Sequence, residues 1–346
     1  MRRIRIIVAL LCALVLVSSC HRRPLVEPDH RAVLQVKIKY NDIPNVTQGI
    51  YNDKIAVPEF HTDVLRVLFY NESGSRILSE GFLTEKSVDE EGNDVMTGNV
   101  MLAPGHYRVL AYNFDTPSTF IRGEQKWDGI TAYTEEIPES KYRSLRGRAI
   151  ENEHIYYEPD HLFVARDANL YVEAHSDVKT LNMEANTIID TYYVQIRVKN
   201  LQYASSATAV LTGLSATNAI GANTRHEEES SALYIEMQKS TDERIEDENK
   251  DVLCGVFNTF GRIDDVPSEL HITFQAMTRE GEYAEKTIDM TKAFLTEDAR
   301  ERHWLIIEDV WELPVPITPP GGDGGGGGFN PEVDDWVDEN VTIPIS

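Results

Sequence analysis

The sequence predicts an all-β chain of two tandem Greek-key β-sandwiches, followed by a tethered C-terminal strand. Three observations lead there. Short runs alternate apolar and polar residues at the strand period, with Gly, Pro, Asn and Asp between them. Helical periodicity is nearly absent, one turn at Glu297 to Arg302 excepted. A glycine run from Gly321 to Gly328, with one Asp in it, sets the last segment apart from the rest.

The runs follow in order. Ala32 to Tyr40 (AVLQVKIKY) alternates as a half-buried strand with one wet face. Asp63 to Tyr70 is a second strong run, and Arg76 to Leu83 and Gly98 to Leu102 are shorter ones. Ala103-Pro-Gly turns the chain into His106 to Phe114. His161 to Ala165, Leu170 to Ala174 and Ile188 to Asn200 come next. Ala207 to Leu214, Gly255 to Phe260, Glu269 to Thr278, Glu285 to Asp289 and Trp304 to Val310 complete the set. So many strands exceed one small sandwich. Strand propensity drops between Ser176 and Ala185, which places a first sandwich at 32–178 and a second at 179–313. Phe120 to Glu158 is irregular and aromatic, an excursion from the first sandwich. His226 to Ser230 and Ser240 to Asp251 read as solvated loops at the rim of the second.

The N-terminus has the parts of a secretory signal over 1–19. Arg2, Arg3 and Arg5 precede an apolar run from Ile6 to Val17, too short for a stable membrane span. Val17-Ser18-Ser19-Cys20 is similar to a bacterial lipobox, so Cys20 is the expected lipidation site and 20–31 a tether. Acyl chains supply about 0.8 kcal/mol per buried CH₂, and several chains anchor where one does not. Beyond the signal only Cys20 and Cys254 remain, so no disulfide framework is expected. Cys254 lies in a strand-like run and reads as a small buried hydrophobe. The formal charge of −24 and the lack of a basic stretch argue against nucleic acid as a partner.

At the other end, Pro314, Pro316, Pro319 and Pro320 stop the last strand, and 314–328 is a Pro/Gly linker. Within 329–346, Trp336 is followed by Val341, Ile343 and Ile345 alternating with Thr342 and Pro344. A lone strand on a tether must pair with a sheet, its own or another molecule's, and Pro344 confines it to an edge or an end. These four residues are the strand-exchange candidates.

No pattern of catalytic chemistry emerges, and the chain reads as a non-enzyme with no cofactor. His154 and His161 bracket Tyr156, Tyr157 and Asp160, but strand and loop contexts give no fixed metal geometry. His226 is followed by three Glu without a second His at helical spacing. His106 reads as a solvent-facing neighbour of Arg108. No Gly-x-Ser-x-Gly elbow appears, and the glycine run lacks the Lys-Ser or Lys-Thr of a phosphate loop. The aromatic excursion, with Trp127 and Tyr157, is a candidate platform for glycan stacking; packing over the sandwich is the plainer reading.

Several segments together carry a resemblance. They are His21-Arg-Arg-Pro-Leu, Ala103-Pro-Gly-His-Tyr-Arg-Val-Leu-Ala-Tyr-Asn, Asn258-Thr-Phe-Gly-Arg, the strand Leu270 to Met277, Asp289-Met-Thr-Lys-Ala-Phe, and the glycine tether before Val333-Asp-Asp-Trp. In this order they resemble lipoproteins of the Bacteroidales fimbrillin-like superfamily. The resemblance implies two transthyretin-like sandwiches, an outer-membrane or cell-surface location, and other fimbrial subunits as partners. It also implies β-strand exchange, in which a missing strand is replaced by a neighbour's. The strand at stake here would be Ala32 to Tyr40, and the donor Val341 to Ser346. No Arg follows that first strand until Arg66, and Arg143, Arg146 and Arg148 lie far downstream. This departure favours an anchor or accessory subunit over a processed stalk subunit; a ligand-binding surface lipoprotein is the alternative. A second departure is His21-Arg22-Arg23, where surface lipoproteins of the group often carry acidic residues.

Overall fold

The computed structural model describes residues 32–41, 44–47, 61–113, 116–138, 154–174, 178–225, 230–263, 270–278 and 283–315. The signal segment, Cys20, the linker from 316 on and the tail with Trp336, Val341, Ile343 and Ile345 lie outside these residues.

The first strands are β1 (Ala32–Tyr40), β2 (Leu65–Asn71), β3 (Ile77–Leu83), β4 (Glu85–Val88), β5 (Asp94–Leu102) and β6 (Gly105–Asn113). Three short ones follow in the aromatic excursion: β7 (Phe120–Arg122), β8 (Thr131–Tyr133) and β9 (Ile155–Tyr156). Then come β10 (Phe163–Val172), β11 (Lys179–Glu184) and β12 (Asn186–Thr187). The last group is β13 (Asp190–Lys199), β14 (Ala204–Ser215), β15 (Thr217–Ala219), β16 (Ser230–Thr241), β17 (Asp251–Thr259), β18 (His271–Thr278), β19 (Tyr283–Asp289) and β20 (Trp304–Glu312).

Two sheets, ordered β11-β1-β5-β4 and β12-β10-β6-β2-β3, face each other across one core. Period-2 alternation explains who meets whom. Leu34, Val36 and Ile38 of one sheet pack with Val67, Phe69, Val109 and Phe163 of the other. The sheets pinch together at β3 and β5, where Gly98 lies. A Cβ there would stand 2.7 Å from a Leu83 methyl and 2.9 Å from the Phe82 carbonyl oxygen. Only glycine fits this approach.

The second body is a single sheet, β19-β18-β14-β16-β17-β13-β20, folded over its own core. The long strand β16 makes the bend. Its earlier part pairs with β14, while Gln238 to Thr241 pair with β17. Leu211, Ile235 and Phe274 of one leaf thereby meet Val194, Phe257, Leu305 and Trp311 of the other. On the opposite side Lys286 bridges the leaves, donating to the Val310 carbonyl at 3.2 Å and pairing with Asp309 at 3.4 Å.

The all-β expectation with two sandwiches is met. Differences concern the pieces with weak alternation. β11 and β12 belong to the first pair of sheets, so the change of sheet falls between Thr187 and Asp190, after the expected boundary at 178/179. β11 shows one buried residue, Leu181, which gave it little strand signature. β10 is one strand with an irregularity between Asp167 and Leu170, where two strands were expected. β4, wholly exposed, and β16, flanked by charged segments, carried no clear signal.

Gly98→Val should lower stability by about 1–3 kcal/mol through overpacking, read as a lower urea midpoint. An unchanged midpoint would mean that the sheets can part at this point.

Candidate functional site

Whether the first strand is a fixed part of the fold or a removable piece decides what this chain can do. β1 is central in its sheet. It runs antiparallel to β5, from Ala32 opposite Leu102 to Tyr40 opposite Asp94, and parallel to β11, from Leu34 opposite Lys179 to Lys39 opposite Glu184. Both backbone edges are therefore engaged. Ala32, Leu34, Val36, Ile38 and Tyr40 all point into the core and are buried. Tyr40 stacks on Phe163 with ring centroids 5.3 Å apart. Burial is worth about 1.5–3 kcal/mol for each of Leu34, Val36 and Ile38.

The chain just beyond β1 is tied to the second sandwich. Thr47 N–H donates to the Arg302 carbonyl at 3.0 Å, and Trp304 Nε1 donates to the Thr47 carbonyl at 3.0 Å. Asn45 Nδ2 donates to Asp190 at 3.2 Å, and its carbonyl oxygen accepts from Thr191 N–H at 2.8 Å. Val46 is buried with Tyr193, Val252, Cys254 and Trp304. Cys254 thus serves as the expected buried hydrophobe.

The aromatic excursion also spans both bodies. Trp127 is 6 % exposed, edge-on to Tyr70 with centroids 5.8 Å apart, and its backbone N–H donates to the Gly74 carbonyl at 2.8 Å. Leu68, Tyr70, Leu110 and Tyr112 lie beneath it, joined by Ile189, Ile220 and Phe260 from the chain beyond the first sandwich. Gly221 admits the Trp127 carbonyl where any Cβ would collide. β8 pairs with β15, and β9 pairs with β16. Arg166 Nε donates to the Ile220 carbonyl at 2.6 Å. The plainer reading of the excursion, packing, describes both residues and the glycan alternative does not: Trp127 is buried, and Tyr157 packs against Ile137, Ile155, Val210 and Ala232.

Other expected residues scatter. His106 is exposed, as expected, and its ring lies 4.6 Å from that of Tyr171 on the neighbouring strand. Arg108 donates to the Glu72 carbonyl at 3.0 Å and lies over Trp127. His154 pairs with Glu136 at 2.9 Å on the surface. His161 is buried, which pushes its pKa down to about 4 against a hydrogen bond involving Asn41. Among the described residues no three His, Cys, Asp or Glu side chains converge on a metal position. Nor is any helix there long and apolar enough to cross a membrane.

Sequence reasoning missed Glu158. It sits at the joint between the excursion and the second sandwich, its carboxylate accepting from Asn258 N–H at 3.0 Å. Burial raises its pKa to about 7; the Asn258 hydrogen bond opposes this and the nearby Glu236 charge adds to it.

These features define a two-sandwich β-protein that is complete with its own first strand and tied across its joint by an aromatic excursion. The chain belongs to the family described as "Domain of unknown function (DUF5119)", whose profile matches residues 19–236. It is 26% identical, over 97% of both chains, to a Bacteroides ovatus protein described as "Putative fimbrium anchoring subunit Fim4B". A solved Bacteroides ovatus structure described as a "putative adhesin" has the same fold. It is 22% identical at a TM-score of 0.56, covering 82% of this chain and 94% of its own.

The folded chain holds a proton on Glu158 between its ordinary pKa of 4.5 and about 7, while the unfolded chain has released it. Stability from this group is thus full below 4.5 and lost as pH rises through 7. Glu158→Gln should flatten the stability profile over that window relative to the unmodified chain, by on the order of 3 kcal/mol. Parallel profiles in urea unfolding from pH 5 to 8 would contradict this.

Proposed function

We propose that this chain is an anchoring or accessory subunit of a surface fimbria, held to the outer membrane by lipid on Cys20 and joined to other subunits by β-strand exchange. The observation that carries the reading is the seat of β1, paired on both sides and buried along its inner face. A subunit that keeps this strand also keeps the covalent path to Cys20, twelve positions before Ala32. The absence of Arg between Tyr40 and Leu65 supports retention. The relative described as a fimbrium anchoring subunit, similar along nearly the whole chain, supports the same role.

With β1 seated between β5 and β11, the first sandwich keeps its own strand, and the tail is the proposed donor. The tail segment 329–346, with Val341, Ile343 and Ile345, would enter a neighbour's sheet, where main-chain hydrogen bonds give affinity and alternate side chains give register. One such contact per chain ends a polymer instead of propagating it, as suits a base or a cap. We propose two halves that meet between Thr187 and Asp190, where the sequence alone put the boundary at 178/179, so that β11 and β12 go with the first.

Protein recovered from membranes should yield an N-terminal peptide that begins at acylated Cys20 in mass spectrometry, and Cys20→Ala should release the chain into the soluble fraction. A mature N-terminus beyond Tyr40 would contradict the anchor reading. Deleting 329–346 should abolish co-purification with fimbrial subunits while leaving membrane attachment intact. Unchanged co-purification would rule out the tail as donor.

A further inference from the structure

The outer face of the leaf β19-β18-β14-β16 contains a cleft of about 780 Å³, within the roughly 300–1,000 Å³ of small-ligand sites. The inner face of this leaf carries Ala207, Ala209, Ile235, Phe274 and Ala276. Strand alternation therefore turns Ser206, Thr208, Glu236 and Gln275 to the cleft. From these residues we infer that the cleft is a binding site for a short neutral oligosaccharide, distinct from the buried Trp127 and from the fimbrial role proposed above.

Gln275 carries the argument. Although on the outer face, it is 3% exposed. Its Nε2 donates to Glu285 Oε1 at 2.6 Å, which fixes the orientation of the amide, since the reverse would oppose two oxygens. Its Oε1 is then a buried acceptor with no hydrogen-bond partner. An unsatisfied buried acceptor costs about 1–3 kcal/mol, so the site favours a ligand that brings a donor. Glu236, exposed on the same wall, adds a carboxylate acceptor. Ser206 and Thr208 add hydroxyls that both donate and accept.

This mixture fits sugar hydroxyls, which do both as well. A cationic ligand fits worse, because Lys239 lines the same cleft with its ammonium, held by the Ala204 carbonyl. The aromatic groups complete the match. Tyr283, 47% exposed, pairs with Met277 at one corner, while Tyr234, half-buried against Ile155 and Val210, lines the cleft at the diagonal corner. Rings at both ends suit a ligand longer than one sugar, with apolar ring faces to stack.

The test is saturation-transfer NMR on the full chain with cellohexaose, laminarihexaose, mannohexaose and xylohexaose, and with spermidine as a cationic probe. At least one hexasaccharide should receive magnetisation from the protein. That transfer should fall at least tenfold in Tyr283→Ala, a surface change, and in Gln275→Leu, and persist in Phe82→Ala on the other sandwich. No transfer to any of the four sugars would overturn the proposal. So would transfer that survives Tyr283→Ala, or binding of spermidine in preference to every sugar.

Discussion

A strand with neighbours on both sides and an apolar face in the core cannot leave without opening two hydrogen-bond ladders at once. β1 is such a strand, and the first sandwich is organised around it. Its inward residues meet both the strands of its own sheet and those opposite. Beside it, Gly98 stands opposite Val36 and lets the facing sheets close. Pulling on the chain ahead of Ala32 would load these ladders along the strand direction, so many bonds would resist together. For a chain proposed to be held from its N-terminus, that is the strong geometry.

The second constraint is the joint. Linked sandwiches would ordinarily move with respect to each other when little apolar surface is shared. Here the excursion from Phe120 to Glu158 contributes Trp127 and Ile130 to a cluster with Ile189, Ile220 and Phe260, and short strands pair across it. The segment after β1 adds its own clamp through Thr47 and Trp304. Force entering through β1 thus has two routes into the second body. Glu158, with its raised pKa, makes part of this joint sensitive to proton concentration.

How much of this was legible in the sequence follows from the range of each interaction. β1 announced itself because one face is buried along its length and alternation records it, while β13 and β20, buried on both faces over part of their length, stood out as nearly continuous apolar runs. β11 did not, since only Leu181 faces the core strongly. β16 was obscured by the acidic runs at its ends. The role of the excursion was invisible for another reason. Trp127 looks the same in sequence whether it faces solvent or Tyr70, and its partners lie far away along the chain. The cleft is similar: Ser206, Thr208 and Gln275 read as an ordinary wet face until neighbouring strands place them together. Cys20 and the tail candidates Trp336, Val341, Ile343 and Ile345 were local signals, and they fall outside the described residues.

Hydrogen exchange resolved by peptide tests the central claim most directly, that the first strand is locked into the fold. Amides of Ala32–Tyr40 should exchange in the slowest class of the first sandwich, with the central strand β6 and far behind the exposed edge strand β4. Exchange of this segment as fast as that of Glu85–Val88, with the rest of the sandwich protected, would show a strand free to leave its seat and would contradict the account.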